Sequence, residues 1–142
     1  ALAEARSALA RFEVRGPLWR GLGGTVLLGE ERVSGLEVAV KVLEKPEARE
    51  DLEQVRAELR THAALPPHPH VLQALAEGET ASALMLVTPL APDGTLWELM
   101  KYGQTHRERE VRNCAGQVVA ALQHVHGACG LVHCDVKPQN LL

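Results

Sequence analysis

Nothing in this chain is built to neutralise a phosphate backbone. Lysine and arginine number 15 against 18 aspartates and glutamates, a net charge of −3 with the histidines neutral. That balance removes the basic footprint expected of a nucleic-acid binder and the polybasic tail expected of a membrane-surface protein. Long apolar runs are missing as well. Stretches such as TVLLG and ALMLV are far shorter than the roughly twenty residues a helix needs to cross a bilayer. The first ten residues, ALAEARSALA, carry charges where an export signal would keep an apolar core. Cysteine is scarce and odd in number: Cys114, Cys129 and Cys134, close together near the C-terminus. Three such thiols make a poor disulfide framework and suit a reducing compartment, so the expected setting is cytoplasmic or nuclear, with neither nucleic acid nor membrane as partner. No internal repeat and no low-complexity tract interrupts the chain.

What is present describes a folded domain. Of the 142 residues, 46% are hydrophobic and 23% charged, the balance of a soluble globular chain or part of one. Residues 1–11 are expected to form a helical lead-in; Ala1 is not a methionine, and the true start is expected to lie upstream. From Phe12 to Leu43 the pattern is β: FEVRGPLW, TVLLGE and LEVAVKVL are rich in valine and leucine and separated by turns, which predicts three sequential antiparallel strands. A period of two sets Val38, Val40 and Val42 on one face of the third strand and Ala39, Lys41 and Leu43 on the other. PEAREDLEQVRAELRTHAAL then predicts a helix, with Pro46 at its first position, acidic residues in its first turns and Leu52, Val55 and Leu59 as its apolar stripe. LPPHPH breaks it, and VLQALAE and ALMLVTPL predict two further strands.

After Leu90 the character becomes helical. TLWELMKYG predicts a short helix, and Thr105 with Glu108 spells a T-x-x-E capping box that opens a longer one, with apolar residues at three- and four-residue spacing from Val111 to Val125. Gly127 and Gly130 end it, and LVHCDVKPQNLL is expected to run as a short strand and a loop. The class expected is therefore α+β: five strands and one helix to Leu90, then the start of a helical part.

Three places carry chemistry. Gly21, Gly23 and Gly24 between two strands would let backbone N–H groups approach phosphate oxygens, although, taken alone, a glycine-bearing hairpin is their commoner meaning; no Gly-Lys-Ser/Thr follows, which excludes a Walker-type loop. Lys41 is either a snorkelling edge lysine or a phosphate ligand, and the second reading needs a carboxylate partner, for which Glu58 on the following helix is placed. The third is HCDVKPQN. There Asp135 could accept a proton, Lys137 could neutralise phosphate charge and the amide oxygen of Asn140 could bind a hard cation. A rival constellation, His124, His126, Cys129, His133 and Cys134, has zinc-ligand chemistry but lacks a paired C-x-x-C.

Taken together these motifs resemble the eukaryotic protein kinases. LWRGLGGTV is similar to their glycine-rich loop, VAVK to V-A-I-K, HPHV to H-P-N-I, and HCDVKPQN to the catalytic-loop H-R-D-x-K-P-x-N; the four occur in family order over Phe12–Leu142. The resemblance implies a kinase-like bilobal fold, with residues 12–90 as the N-lobe and 91–142 as the hinge and incomplete beginning of the C-lobe. It implies ATP and Mg2+ as cofactors and, because a lysine follows Asp135 by two residues, a protein serine or threonine hydroxyl as acceptor. Gly21 and Gly24 would cover the phosphates, Leu18, Val26 and Ala39 wall the adenine, and Lys41 hold the α- and β-phosphates with Glu58 as its partner. Thr88 would be the gatekeeper, Pro89 to Ala91, Leu90 included, the hinge, and Thr95 a neighbour of the ribose. Asp135 would orient or deprotonate the hydroxyl, Lys137 steady the phosphoryl group and Asn140 hold magnesium.

The departures are as informative. Trp19 stands where the family has its first loop glycine, Gly23 where it has an aromatic, and Cys134 where it has the arginine that pairs with an activation-loop phosphate. No Asp-Phe-Gly occurs, so the chain alone is expected to be inactive and its end to be a truncation. The alternative is a pseudokinase, a nucleotide-binding scaffold or interaction module.

Overall fold

A computed structural model of the chain describes residues 9–21, 24–102 and 108–142. The predicted lead-in lies mostly outside these, and Leu9–Arg11 form a turn that leads into the first strand. Five strands follow: β1 (Phe12–Gly21), β2 (Gly24–Glu31), β3 (Glu37–Glu44), β4 (Ala76–Glu79) and β5 (Ala83–Pro89), all paired antiparallel in the order β1-β2-β3-β5-β4. The α-helices among the described residues are α1 (Arg49–Ala63), α2 (Leu96–Lys101) and α3 (Glu108–Gln123).

The alternation in β3 decides where the core lies. Val38, Val40 and Val42 are buried on one face with Phe12, Val14, Leu27, Met85 and Val87, and Leu9 closes the cluster. Branched side chains suit a pleated surface, and burying each such residue contributes about 1.5–3 kcal/mol. On the opposite face Leu84 and Leu86 meet Leu59 of α1, with Leu43, Leu52 and Val55 packed around them. Since β5 lies between β3 and β4 and is covered on both sides, its run ALMLVT is buried throughout. The stripe expected on α1 is thus the stripe observed.

Several boundaries differ from expectation. The first helix begins at Arg49 rather than Pro46; its N-cap, Ala48, has no side chain able to accept a backbone N–H, and the helix starts where Glu50 and Asp51 populate the first turn. VLQALAE yields only the four-residue β4, and no strand forms within LVHCDVKPQNLL, whose one regular element is a 3-10 turn at Pro138–Asn140. Pro138 opens that turn because its ring fixes φ and needs no N–H partner. The long helix ends in a π-helical turn, His124–Ala128, before Gly130 takes a positive φ of 66°. The capping box expected at Thr105 lies outside the described residues. One forms instead at the start of α2, where the Thr95 hydroxyl accepts from the Glu98 N–H at 3.3 Å and the Glu98 carboxylate accepts from the Thr95 N–H at 2.8 Å.

The chain divides into two compact units. One comprises the residues up to Ala64 with Gln73–Leu90; the other comprises Leu65–Leu72 with Ala91–Leu142. In the second, the ring of His124 stacks on His68 at 4.8 Å, and His70 meets His68 edge-on at 5.6 Å.

Candidate active site

The site residues of the first unit follow from strand register. Trp19 pairs with Val26, Val26 with Lys41, Lys41 with Leu86, and Ala39 with Thr88. Directly paired residues of antiparallel strands share a face. Trp19, Val26, Ala39, Lys41 and Thr88 therefore lie on one side of the sheet, opposite to the side that carries Val38, Val40 and Val42. Thr88 is buried, Val26 and Ala39 are half-buried, and Lys41 is exposed. Leu18, in the register shift between Pro17 and Trp19, is exposed. Leu90 lies just past β5, its N–H donating to the Glu37 carbonyl at 3.0 Å.

Among the described residues Lys41 and Glu58 form no ion pair, and both are exposed. The charges of α1 are engaged elsewhere. Arg56 pairs with Glu79 of β4 and, at 2.6 Å, with Glu53, while Lys45 reaches Glu79 at 2.6 Å. Arg56 first and Lys45 second hold the Glu79 carboxyl down to about 2. Sequence reasoning did not find this network, because its members lie on β4, on α1 and at the end of β3, and only the fold brings them together.

At the glycines, Gly24 adopts a φ of 107°, and a Cβ there would overlap the Val42 carbonyl oxygen, so the turn itself demands glycine. Gly21 has another reason. A Cβ at Gly21 would overlap Cη2 and Cζ2 of the Trp19 indole, which lies against it. Gly23 lies outside the described residues.

The second unit contains the tightest cluster. Asp135 is the hub: Lys137 Nζ lies 2.8 Å from its Oδ2, and Asn140 Nδ2 donates to that same oxygen at 2.9 Å and to the Asp135 carbonyl at 2.8 Å. The backbone supports it. The Asp135 N–H donates to the His133 carbonyl at 2.9 Å, the Asn140 N–H to the Lys137 carbonyl at 2.9 Å, and the Leu96 N–H of α2 to the Leu141 carbonyl at 2.8 Å. Cys134, where the turn reverses, has a φ of 62°, a conformation a non-glycine residue adopts only under local constraint. Lys137, followed by Asn140, lowers the Asp135 carboxyl below its ordinary value, so it is ionised at neutral pH. Its side chain is 60% exposed, open to a substrate from solvent.

Asn140 directs its amide N–H groups at Asp135, and its Oδ1 is left as a hard oxygen donor. A magnesium ion is commonly held by one or two such oxygens together with substrate phosphates and waters, so this donor fits one. The Thr95 hydroxyl is taken up in the capping box of α2. The zinc-type constellation has another use as well, since His124 stacks on His68 and its Nε2 lies 3.2 Å from the Pro66 carbonyl.

Comparison with known proteins agrees with the motifs. The family model described as the protein kinase domain matches residues 12–142. The chain is 33% identical over 134 residues to the maternal embryonic leucine zipper kinase of Danio rerio, covering 94% of this chain and 20% of that one. It is 35% identical over 135 residues to Aurora kinase B of Drosophila melanogaster, covering 92% and 40%. Against the human phosphorylase b kinase gamma catalytic chain, liver/testis isoform, it is 30% identical over 147 residues, covering 99% and 36%. The chain thus spans between a fifth and two-fifths of the length of these relatives. A glycine-bearing hairpin, a lysine on the third strand and an Asp-Lys-Asn loop, in that order and matched by one family model, place the chain in the protein kinase family.

Proposed function

We propose that this chain carries the nucleotide-binding face and catalytic loop of a protein serine/threonine kinase, which moves the γ-phosphate of Mg-ATP to a protein hydroxyl. The observation that carries the reading is the Asp135 hub, an exposed, ionised carboxylate held by Lys137 and Asn140 within five residues. In the first unit, Leu18, Val26 and Ala39 would wall the adenine and Thr88 and Leu90 border it; Thr95, of the second unit, would stand near the ribose. The exposed Lys41 ammonium would meet the α- and β-phosphates, with Glu58 recruited to it once nucleotide is bound. Gly21 and Gly24 would cover the phosphates.

In the transfer, the acceptor hydroxyl gives its proton to Asp135 as its oxygen bonds to the γ-phosphorus, and the bond to the β-phosphate oxygen breaks to release ADP. Lys137 neutralises charge on the transferring group. Because the same ammonium pairs with Asp135 beforehand, it also keeps the carboxylate deprotonated and ready. Magnesium, held in part by Asn140 Oδ1, would supply charge neutralisation of the β- and γ-phosphates. The lysine two residues beyond the aspartate supports a serine or threonine acceptor.

The sole phenylalanine is Phe12, so the 142 residues contain no Asp-Phe-Gly. The chain by itself is therefore expected to bind nucleotide without transferring phosphate. The test has two parts. Mg-ATP binding to the chain should be weakened by Lys41→Met, and a longer protein that includes an Asp-Phe-Gly should phosphorylate serine and threonine peptides in preference to tyrosine peptides. Binding indifferent to Lys41 would refute the nucleotide assignment. A second reading, a pseudokinase scaffold, is favoured by two observations: the Trp19 indole lies on Gly21, and Lys41 and Glu58 form no ion pair with each other. It expects nucleotide binding but no phosphate transfer from the longer protein.

A further inference from the structure

Gly21 has two competing explanations, and they oppose each other. If its lack of a side chain serves a phosphate, the space above its Cα has to be open. Instead that space is filled: the Trp19 indole lies there, close enough that a Cβ would overlap two ring carbons. The register Trp19 to Val26 to Lys41 sets the indole on the same face of the sheet as the lysine. Leu43 borders the neighbouring glycine on that face, its Cδ2 3.3 Å from where a Cβ of Gly24 would stand.

The indole is only half covered, with 51% of Trp19 exposed. The ring carbons nearest a Cβ at Gly21 are Cη2 and Cζ2. Such a contact contributes modestly, in the range of one exposed aromatic packing interaction, and can be given up in exchange for a ligand.

We propose that Trp19 sets the nucleotide affinity of this chain by self-occlusion: its indole lies on the glycine turn where phosphate oxygens would approach the backbone, and binding requires it to swing out. The inference rests on the nucleotide-binding reading above and deepens it. It assigns the cost of the swing to the phosphates and not to the base. Adenosine, which has no phosphate, should be indifferent to Trp19, whereas Mg-ATP should be sensitive. The Trp19 indole is thus a cover over Gly21 whose displacement is coupled to the charge of the ligand.

The test uses the chain with Trp97→Phe, which leaves Trp19 as its one tryptophan. Mg-ATP and adenosine are titrated by calorimetry into this protein and into the same protein carrying Trp19→Gly, Trp19→Ala or Lys41→Met. Trp19→Gly and Trp19→Ala should each tighten Mg-ATP by about 3- to 10-fold, the equivalent of losing one such packing contact, and leave adenosine unchanged. Trp19 fluorescence should shift with Mg-ATP and not with adenosine, as the indole leaves Gly21. The alanine variant separates occlusion from added backbone freedom, since only the glycine loosens the strand. Weaker or unchanged Mg-ATP binding in both Trp19 variants, with Lys41→Met still damaging, overturns the occlusion and leaves the nucleotide reading standing. Mg-ATP binding that is absent throughout, or indifferent to Lys41, overturns both.

Discussion

The two units of this chain are held together by different physics. Among the described residues, thirteen of the fourteen buried apolar side chains belong to the sheet unit and gather on the two faces of the strands. The other unit has one, Val125. It is organised by hydrogen bonds around Asp135, by a capping box and by stacked histidines, while Val111 and Val119 of α3 are 57% and 54% exposed. Apolar burial is roughly additive and tolerant of small shifts, whereas a polar cluster depends on every partner being in place. The sheet unit therefore supplies a stiff platform, and the loop unit supplies chemistry whose geometry rests on few contacts.

The largest effect should come from the polar cluster. In a protein extended to include an Asp-Phe-Gly, Asp135→Ala should lower the rate of phosphate transfer by about 100- to 10,000-fold, the range for loss of a general base, with the unfolding of the sheet unit unchanged. A steady-state assay alongside a denaturation curve checks both halves. Stability lost together with activity would mean that the hub holds the unit's fold as well as its chemistry.

Met85→Ala should do the reverse. Met85 is 1% exposed at the centre of the sheet core, and its truncation should cost about 2–5 kcal/mol, read from urea denaturation. The matching change in the second unit, Val119→Ser, should cost less than about 0.5 kcal/mol, because that side chain is already largely in water. Equal costs would erase the contrast.

Acid should separate the units by pH. His68 is shifted below the ordinary imidazole value by desolvation first, then by His124 and His70. Its folded form prefers to be neutral, so the unfolded chain binds the extra proton. Stability is complete above the unfolded value of about 6.5 and is lost as pH falls from there towards the lower folded value. Glu79, held to about 2 by Arg56 and Lys45, has the same sign in a lower window: its contribution is present above 4.5 and lost as pH falls from 4.5 towards 2. Protection from hydrogen exchange, corrected for the intrinsic rate, should therefore fall over residues 65–72 as pH drops below about 6.5, while β4 and α1 stay protected until below pH 4.5. Simultaneous loosening of both would show that the units unfold as one.

Much of this was legible in the residues. The alternation of β3, the valines and leucines of five strands and the stripe Leu52, Val55 and Leu59 report burial directly, because a period of two or of three to four leaves only one face for the core. The loop HCDVKPQN was legible as chemistry for a related reason: its aspartate, lysine and asparagine lie within six positions, so a turn alone brings them together. The capping box at Thr95 and Glu98 is equally legible as T-x-x-E. The Lys41–Glu58 pair was an expectation of spacing. Spacing says which face a side chain shares and not which partner it chooses.

By itself, then, the sequence determined the elements, the two faces of the sheet, the local constellation at Asp135 and the protein kinase family, all of which depend on neighbours within a few residues or on their order along the chain. Only the tertiary structure decided the strand order β1-β2-β3-β5-β4, the meeting of Lys45, Arg56 and Glu79, and the stacking of His68 on His124. The physical reason is that these contacts depend on register, on side-chain direction and on the packing of segments distant in sequence. None of those is a property of any one stretch of residues.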